Sequence, residues 1–289
     1  MTKSKVILVL GASGMLGHVL YSELRKNHNV WGTVRSNKWS PELLSGYEVN
    51  DLDKIEKLVS EIKPDFVINC IGIIKQLKES KNKIVSIEVN SLWPHQLAEI
   101  CENHKARMIH FSTDCVFSGI KGNYFETDLA DSRDIYGLSK YMGEVDYPHT
   151  LTLRTSIIGH ELDTSVSLVD WFLSQSGECK GFTKAIYSGF PTIEVARFLN
   201  EYVFNDFSSG IYQFSSEPIN KYELLKLIAE IYHKNITINP SDEVKIDRSL
   251  NSDRLRTRYG FTPDSWALMV SKMHEHFLNS GLYKNKEIK

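Results

Sequence analysis

Cysteine is scarce in this chain, neither sign of charge dominates, and no long hydrophobic run occurs. The 289 residues carry 34 basic and 36 acidic side chains, and this balance argues against a nucleic-acid-binding surface. The apolar run Val6–Leu10 is interrupted at once by glycine and is too short for a signal peptide or a membrane span. We therefore expect no nucleic-acid partner and no membrane segment.

The cysteines also limit the chemistry. No two of them are spaced as in a metal site or a disulfide framework; they are Cys70, Cys101, Cys115 and Cys179. We therefore expect no metal site and a reducing, cytoplasmic environment.

Short apolar runs alternate with helical patterns through the first half of the chain. This alternation predicts a parallel sheet with helices on both faces. The predicted strands are Val6–Leu10, Val30–Val34, Asp65–Cys70, Arg107–Ser112 and Leu151–Thr155. The predicted helices include one around residues 55–62, Ile87–Cys101 with a kink at Pro94, and Tyr136–Val145.

The second half has a less regular pattern. Helical spacing occurs near Ser167–Ser174, Pro191–Phe204, Tyr222–Tyr232 and Trp266–Phe277, with one strand at Gly210–Phe214. We predict an α/β fold: a Rossmann-type, doubly wound parallel sheet over residues 1–155 and a smaller C-terminal substrate lobe formed mainly by residues 156–289. Some later segments are expected to pack back on the first domain.

A G-x-x-G-x-x-G motif follows the first predicted strand and opens a helix. Glycines permit the tight turn and let backbone amides approach a pyrophosphate at the helix N-terminus. A plain turn would use the same residues, but the strand–turn–helix placement favours a dinucleotide. The predicted cofactor loop comprises Gly11, Ser13, Gly14, Met15, Leu16 and Gly17.

The end of the second strand indicates which dinucleotide is bound. NAD sites usually place an acidic residue there to hold the ribose hydroxyls. This chain has Arg35 followed by Ser36, and a guanidinium there could hold the extra phosphate of NADP. We expect NADPH, with NADH and a solvated surface arginine as the alternatives.

Other positions on the expected cofactor path are weaker predictions. Asp51 could lie near the adenine or simply cap the next helix, and Asn90 could satisfy a buried backbone group. The predicted cofactor-binding set here is Asp51, Leu52, Cys70, Ile71, Gly72 and Asn90.

Three residues predict the chemistry. Thr113 ends a buried strand, and Tyr136 and Lys140 form a Y-x-x-x-K pair on one helix face. A nearby ammonium is expected to lower the tyrosine pKa, so that Tyr136 gives a proton to a carbonyl oxygen while a hydride arrives. Thr113 would hydrogen-bond the same oxygen, and Lys140 could also hold the cofactor ribose.

These motifs resemble the dTDP-4-dehydrorhamnose reductase family, a branch of the extended short-chain dehydrogenases. The resemblance extends over LGASGMLG, STDCVFSG, IYGLSKYMGE, LRTSIIG and DRSLNSDRL. It implies NADPH-dependent reduction of the 4-keto group of a nucleotide-activated 6-deoxy sugar, in deoxysugar and surface polysaccharide biosynthesis, and it allows a homodimer. The substrate-binding residues that it implies are Cys115, Phe117, Arg154, Arg248 and Arg254.

Two departures keep the substrate open. Cys115 replaces a frequent aromatic residue, and the loop at residues 72–81 resembles that of reductases acting on UDP-linked 2-acetamido-6-deoxy-4-keto sugars. The alternatives are a 4,6-dehydratase, which would need glutamate at Cys115, and an epimerase–reductase pairing Cys115 with a histidine such as His160. A non-catalytic, NADP-binding regulatory subunit, like that of methionine adenosyltransferase, is a further alternative.

Overall fold

A twisted parallel sheet forms the centre of this chain. The computed structural model describes residues 3–36, 40–74 and 82–283. In this part of the chain the strands are β1 (Val6–Leu10), β2 (Asn29–Val34), β3 (Leu44–Ser45), β4 (Phe66–Asn69), β5 (Arg107–Thr113), β6 (Thr150–Thr155), β7 (Ile157–Ile158), β8 (Glu178–Tyr187), β9 (Phe190–Pro191), β10 (Gly210–Gln213), β11 (Ile219–Asn220) and β12 (Thr237–Asp247).

The helices cover this sheet and build part of the C-terminal half. They are α1 (Gly17–Leu24), α2 (Leu52–Ile62), α3 (Lys83–Ile87), α4 (Trp93–Asn103), α5 (Ile135–Met142), α6 (Leu168–Ser174), α7 (Thr192–Phe198), α8 (Lys221–Ile231), α9 (Asp253–Tyr259) and α10 (Trp266–Asn279). Short π-helical turns follow α3 at Glu88–Leu92 and α7 at Leu199–Val203.

Seven of the described strands form the main sheet, in the order β10-β6-β5-β4-β1-β2-β3. Every neighbouring pair is parallel. The strand order reverses at β1, which pairs with both β2 and β4, and ligands of such sheets bind at this switch point, beyond the carboxyl ends of the strands. The predicted Rossmann-type fold is confirmed.

The alternation of side chains along β1 explains why its sequence is apolar throughout. Ile7 and Val9 belong to one hydrophobic cluster, whereas Leu8 and Leu10 belong to another on the opposite face. The first cluster includes residues of α1, α7 and α10, and the second includes residues of α2 and α4. A strand covered on both faces needs apolar side chains at every position.

The predicted helix across residues 87–101 has a different irregularity from the one expected. Pro94 stands in the first turn of α4, where a missing N–H leaves no helical hydrogen bond unmade. The helical path changes just before it, in the π-helical turn Glu88–Leu92, which contains Asn90. The kink at Pro94 stays a prediction, and the observed irregularity is a π-helical turn that ends two residues before it.

The C-terminal half contributes to both parts of the molecule. β10 completes one edge of the main sheet, and α7 and α10 pack in the same cluster as α1. A separate three-stranded sheet has the order β11-β8-β12, and the sequence patterns did not predict β8 or β12. Within the described residues, no helix has both the length and the hydrophobicity needed to cross a membrane.

Candidate active site

The glycine-rich turn joins β1 to α1 at the switch point of the sheet. Gly11 has a φ of +83°, and a Cβ there would lie 3.0 Å from Cγ1 of Ile71 and 3.2 Å from the carbonyl carbon of Cys70. A Cβ on Gly17 would overlap the carbonyl oxygen of Gly11. The turn is thus packed against the loop after β4 and needs glycine at these two positions. Its backbone leads into the N-terminus of α1, which favours an anion.

A cavity of about 290 Å³ lies beside this turn. One wall contains Ser13, Gly14 and Met15, and Arg35 with Ser36 stands at the end of β2. A helix N-terminus and an exposed guanidinium both attract negative charge, so these residues fit the phosphates of a dinucleotide. The facing wall, residues 161–164, was not predicted from the sequence.

A larger cavity of about 420 Å³ lies between α1, α7 and α10. Its buried carboxylate is paired, because Glu194 contacts both Arg197 and Lys272. It is lined by none of the predicted site residues. We therefore place the candidate site at the smaller cavity and the strand ends beside it.

Asp51 and Asn90 serve the backbone. The side chain of Asp51 accepts a hydrogen bond from the N–H of Lys54 at 3.3 Å and so caps α2, which begins at Leu52. The Asn90 amide accepts from the N–H of Ile73 at 2.9 Å and donates to its carbonyl oxygen at 3.1 Å. The structure therefore shows the alternative role for each residue: Asp51 caps a helix, and Asn90 satisfies a buried backbone group.

The loop after β4 connects the glycine-rich turn with the catalytic residues. Cys70 and Ile71 contact the turn, and the position of a Cβ on Gly72 lies 3.4 Å from Oδ1 of Asn90 and 4.0 Å from Nζ of Lys140. A nicotinamide ribose on this path would therefore come close to Lys140. The remainder of the distinctive loop, residues 75–81, lies outside the described residues.

The three predicted catalytic side chains meet at the carboxyl end of β5. The Thr113 hydroxyl accepts a hydrogen bond from the N–H of Cys115 at 3.1 Å and donates to Oδ1 of Asp114 at 3.2 Å, and it lies close enough to the phenol of Tyr136 to affect its pKa. Lys140 lies one turn after Tyr136 on α5 and donates to the carbonyl oxygen of Phe111 at 2.6 Å.

α5 lies directly against the catalytic loop. A Cβ on Gly137 would overlap the carbonyl oxygen of Cys115, so the glycine between Tyr136 and Lys140 allows this close approach. Asp134 caps the helix by accepting from the N–H of Gly137 at 2.8 Å. The sequence thus fixes both the start of α5 and its distance from the loop.

Burial dominates the electrostatics of the catalytic pair. It raises the pKa of Tyr136, Cys115 adds to this effect, and the hydrogen bond from Thr113 opposes it. Burial lowers the pKa of Lys140 to about 8, opposed by the charge of Glu144. The expectation that Lys140 lowers the pKa of Tyr136 is wrong, because burial outweighs other effects and the ammonium bonds a carbonyl. Tyr136 is a protonated phenol at neutral pH.

Cys115 and Arg248 border the catalytic group on the side of the C-terminal lobe. Arg248 donates from Nε to the carbonyl oxygen of Phe117 at 2.9 Å, and its Nη1 lies 3.6 Å from Sγ of Cys115. Burial raises the pKa of Cys115 to about 12, with a further contribution from Asp114 and an opposing one from Arg248. The thiol is therefore neutral, which disfavours it as a base.

Two predicted substrate residues point into the protein instead. The Phe117 side chain is fully buried and stacks on Tyr124 with 4.2 Å between ring centroids. Arg154 donates to both carboxylate oxygens of Glu144, at 2.8 and 2.7 Å, with the two side chains 5% and 2% exposed. Both assignments to the substrate are corrected, because one side chain is core and the charge of the other is already neutralised.

Arg254 is also placed away from the catalytic group. It donates from Nη1 to the carbonyl oxygen of Ile211 at 3.1 Å, and its guanidinium lies over the ring of Tyr212. Both partners belong to the edge strand β10, and Ile211 pairs with Thr152, before the carboxyl end of β6. The contact between Arg254 and the substrate stays a prediction.

His160 does not pair with Cys115. Its Nδ1 lies 2.6 Å from a carboxylate oxygen of Asp170, and its Nε2 lies 2.8 Å from the hydroxyl of Tyr232. This histidine belongs to an aromatic cluster between α6, α8 and the segment after α10. His160 is therefore not the histidine partner of Cys115 that the epimerase–reductase alternative needs.

Glu144 also lies near the site and was not predicted from the sequence. It accepts a hydrogen bond from Ser112 at 2.6 Å in addition to its ion pair with Arg154. Its charge favours the protonated form of Lys140. The signal was available, because Glu144 stands four residues after Lys140 within IYGLSKYMGE.

Comparison with known proteins agrees with this geometry. The model of the family described as RmlD substrate binding domain matches residues 5–278. The chain belongs to this family.

Relatives and a solved structure in or near the family extend the comparison. A probable low-salt glycan biosynthesis reductase of Haloferax volcanii is 34% identical over 57% of this chain and 59% of its own length. A dTDP-4-dehydrorhamnose reductase of Mycobacterium tuberculosis is 28% identical over 53% and 50%. This chain thus spans only about half to three fifths of these relatives. The crystal structure of dTDP-4-dehydrorhamnose reductase from Bacillus anthracis with NADP has a TM-score of 0.81 at 20% identity, covering 95% of this chain and all of that one, and it shows the shared fold.

Proposed function

We propose that this protein is an NADPH-dependent reductase of the 4-keto group of a nucleotide-activated 6-deoxy sugar. The observation that carries the proposal is the meeting of Thr113, Tyr136 and Lys140 at the end of β5, beside the glycine-rich turn. Related proteins named as reductases of dTDP-4-keto sugars and of glycan biosynthesis support this substrate class.

NADPH, when bound, supplies the hydride. The residues that would hold it are the glycine-rich turn, Arg35 with Ser36 at the added phosphate, and Lys140 at the ribose. The cavity beside Arg35, which Ser13, Gly14 and Met15 also line, fits the phosphates of such a molecule. The missing acid at the end of β2 favours NADPH over NADH.

Tyr136 is the proton donor in this proposal. Since burial raises its pKa, the phenol keeps its proton until a ketone oxygen accepts it. The Thr113 hydroxyl lies beside the phenol and donates to Asp114; by turning to the ketone oxygen it can donate a hydrogen bond there as charge develops. The Lys140 ammonium is held by the carbonyl oxygen of Phe111, close to Gly72, and there it can bind the cofactor ribose.

Arg248 is the cation on the sugar side. Its Nε is fixed by the Phe117 carbonyl, and the guanidinium reaches the neighbourhood of Cys115, two residues after Thr113. We assign it to the anionic part of the nucleotide sugar. Cys115, as a neutral thiol, lines the sugar pocket without moving protons.

The test is a spectrophotometric screen for NADPH oxidation with dTDP-, UDP- and GDP-linked 6-deoxy-4-keto sugars, including 2-acetamido forms. Tyr136→Phe serves as the matched inactive control. Oxidation with one nucleotide class, followed by NMR of the product, identifies substrate and stereochemistry. Tight NADPH binding without oxidation of any substrate would overturn the proposal and favour a non-catalytic subunit.

A further inference from the structure

Two tyrosine–histidine pairs lie behind the phosphate cavity and belong to no step of the proposed reaction. His18 follows the glycine-rich turn, and its Nε2 lies 2.6 Å from the hydroxyl of Tyr283. His160 lies 2.8 Å from the hydroxyl of Tyr232 in the same way. All four side chains are buried.

The hydrogen-bond partners of His18 show which atom donates in the first pair. Nδ1 of His18 lies 2.8 Å from the carbonyl oxygen of Gly14, which can only accept, so Nδ1 donates. In the neutral ring Nε2 must then accept, and the hydroxyl of Tyr283 donates to it. Tyr283 is thereby linked through His18 to the peptide of Gly14.

That peptide forms part of the cavity wall. Gly14 and Met15 both line the cavity, and the carbonyl of Gly14 belongs to the same planar peptide as the N–H of Met15. In a trans peptide the two bonds point in opposite directions. The Gly14 carbonyl also accepts the backbone N–H of His18 at 3.0 Å, so the ring and the backbone of His18 together fix the direction of the Met15 N–H, a donor just before α1.

The second tyrosine–histidine pair supports the facing wall of the cavity, residues 161–164. His160 bonds one carboxylate oxygen of Asp170, and the other accepts from the N–H of Glu161 at 2.7 Å. Glu161 begins the stretch of residues 161–164 that closes the cavity opposite the glycine-rich turn. Asp170 thus ties this wall to α6.

The Tyr283 ring packs against the rings of both histidines. Its ring centroid lies 5.5 Å from that of His18 and 5.4 Å from that of His160. It also stacks on Phe277 of α10 at 5.1 Å. A single side chain after the last helix therefore contacts the supports of both cavity walls.

We propose that Tyr283 is a positioning residue for the dinucleotide cofactor, acting through His18 on the peptide of Gly14 and through His160 on the facing wall. The proposal rests on the proposed function in one respect, namely that the cavity beside Arg35 holds the cofactor.

The test compares Tyr283→Phe with Tyr259→Phe by measuring the Kd for NADPH and the Tm of the ligand-free protein. Tyr259 is the control, because its hydroxyl likewise makes a hydrogen bond within the protein, accepting from the N–H of Ser208 at 3.2 Å just before the edge strand β10. We expect Tyr283→Phe to raise the Kd by about 5-fold or more, since a buried acceptor loses its donor. Tyr259→Phe should leave it within about twofold, a difference below about 0.4 kcal/mol.

Arg35→Ala distinguishes a failure of the positioning role of Tyr283 from a failure of the assignment of the cavity to the cofactor. If Arg35→Ala weakens NADPH binding and Tyr283→Phe lowers only the Tm, the positioning role is wrong and the cavity assignment stands. If neither substitution affects the Kd, or if the wild-type protein binds no NADPH, the cavity is not the cofactor site and both proposals fail.

Discussion

Replacing Lys140 with methionine should abolish turnover and at the same time remove a large electrostatic cost of folding. The Lys140 side chain is buried, with a residue exposure of 6%, and burial lowers its pKa from 10.5 to about 8. A difference of this size corresponds to about 3 kcal/mol between the protonated and neutral forms. Methionine fills a similar volume without a charge to desolvate.

The pH dependence of this cost has a definite sign. Below pH 8 the lysine is charged in both the folded and the unfolded chain, so the full cost is present. Between about 8 and 10.5 the unfolded chain binds a proton that the folded chain lacks, and stability therefore rises with pH. Above this window the lysine is neutral in both states and the cost disappears.

Urea unfolding of wild type and Lys140→Met from pH 7.5 to 10.5 measures the effect. At pH 7.5 the variant loses the bond to Phe111, which costs about 1–3 kcal/mol and offsets part of the gain. Between pH 7.5 and 10.5 the free energy of unfolding of the wild type should nevertheless increase, relative to that of the variant, by up to about 3 kcal/mol. Lys57→Met, at a side chain that is 75% exposed, is the control and should show no such movement. A constant difference for Lys140→Met would refute the account.

Four further substitutions test the assignments. Tyr136→Phe should lower turnover at least ~10²-fold with cofactor binding retained, and near-normal turnover would exclude Tyr136 as the acid. Arg35→Ala should shift the NADPH/NADH preference of kcat/KM by roughly 10- to 100-fold; an unchanged ratio would place Arg35 outside the phosphate site. Arg154→Met should destabilise the protein by about 3–5 kcal/mol in urea unfolding, by leaving the buried Glu144 unpaired, whereas a raised KM without destabilisation would restore Arg154 to the substrate. In D₂O the protein should not accelerate deuterium entry beside the ketone, and entry that is lost in Cys115→Ala would reveal epimerase chemistry.

The first half of the fold was predictable because its signals are local. A strand such as β1, buried on both faces, must be apolar at each position, and the glycine turn that follows has few alternative uses. β8 and β12 escaped prediction for the converse reason. Their residues are mostly half-buried or exposed, so polar side chains interrupt any alternation.

The positions of the site residues could be predicted from the sequence, but the contacts around them could not. The spacing of Tyr136 and Lys140 correctly places them on one helix face, yet it says nothing of the Phe111 carbonyl that takes the ammonium. Nor does it reveal that burial, rather than the neighbouring charge, sets the pKa of Tyr136. Both facts arise from contacts between elements distant in the sequence.

The misassigned Arg154 still contributes to the site, by an indirect route. Its guanidinium holds both oxygens of Glu144, and Ser112 bonds the same carboxylate, so the negative charge is fixed beside α5. That charge favours the protonated form of Lys140 against the effect of burial. The position of Arg154 at the end of β6 suggests a substrate contact from the sequence. Its physical effect is instead to favour the charged form of Lys140 through a buried carboxylate.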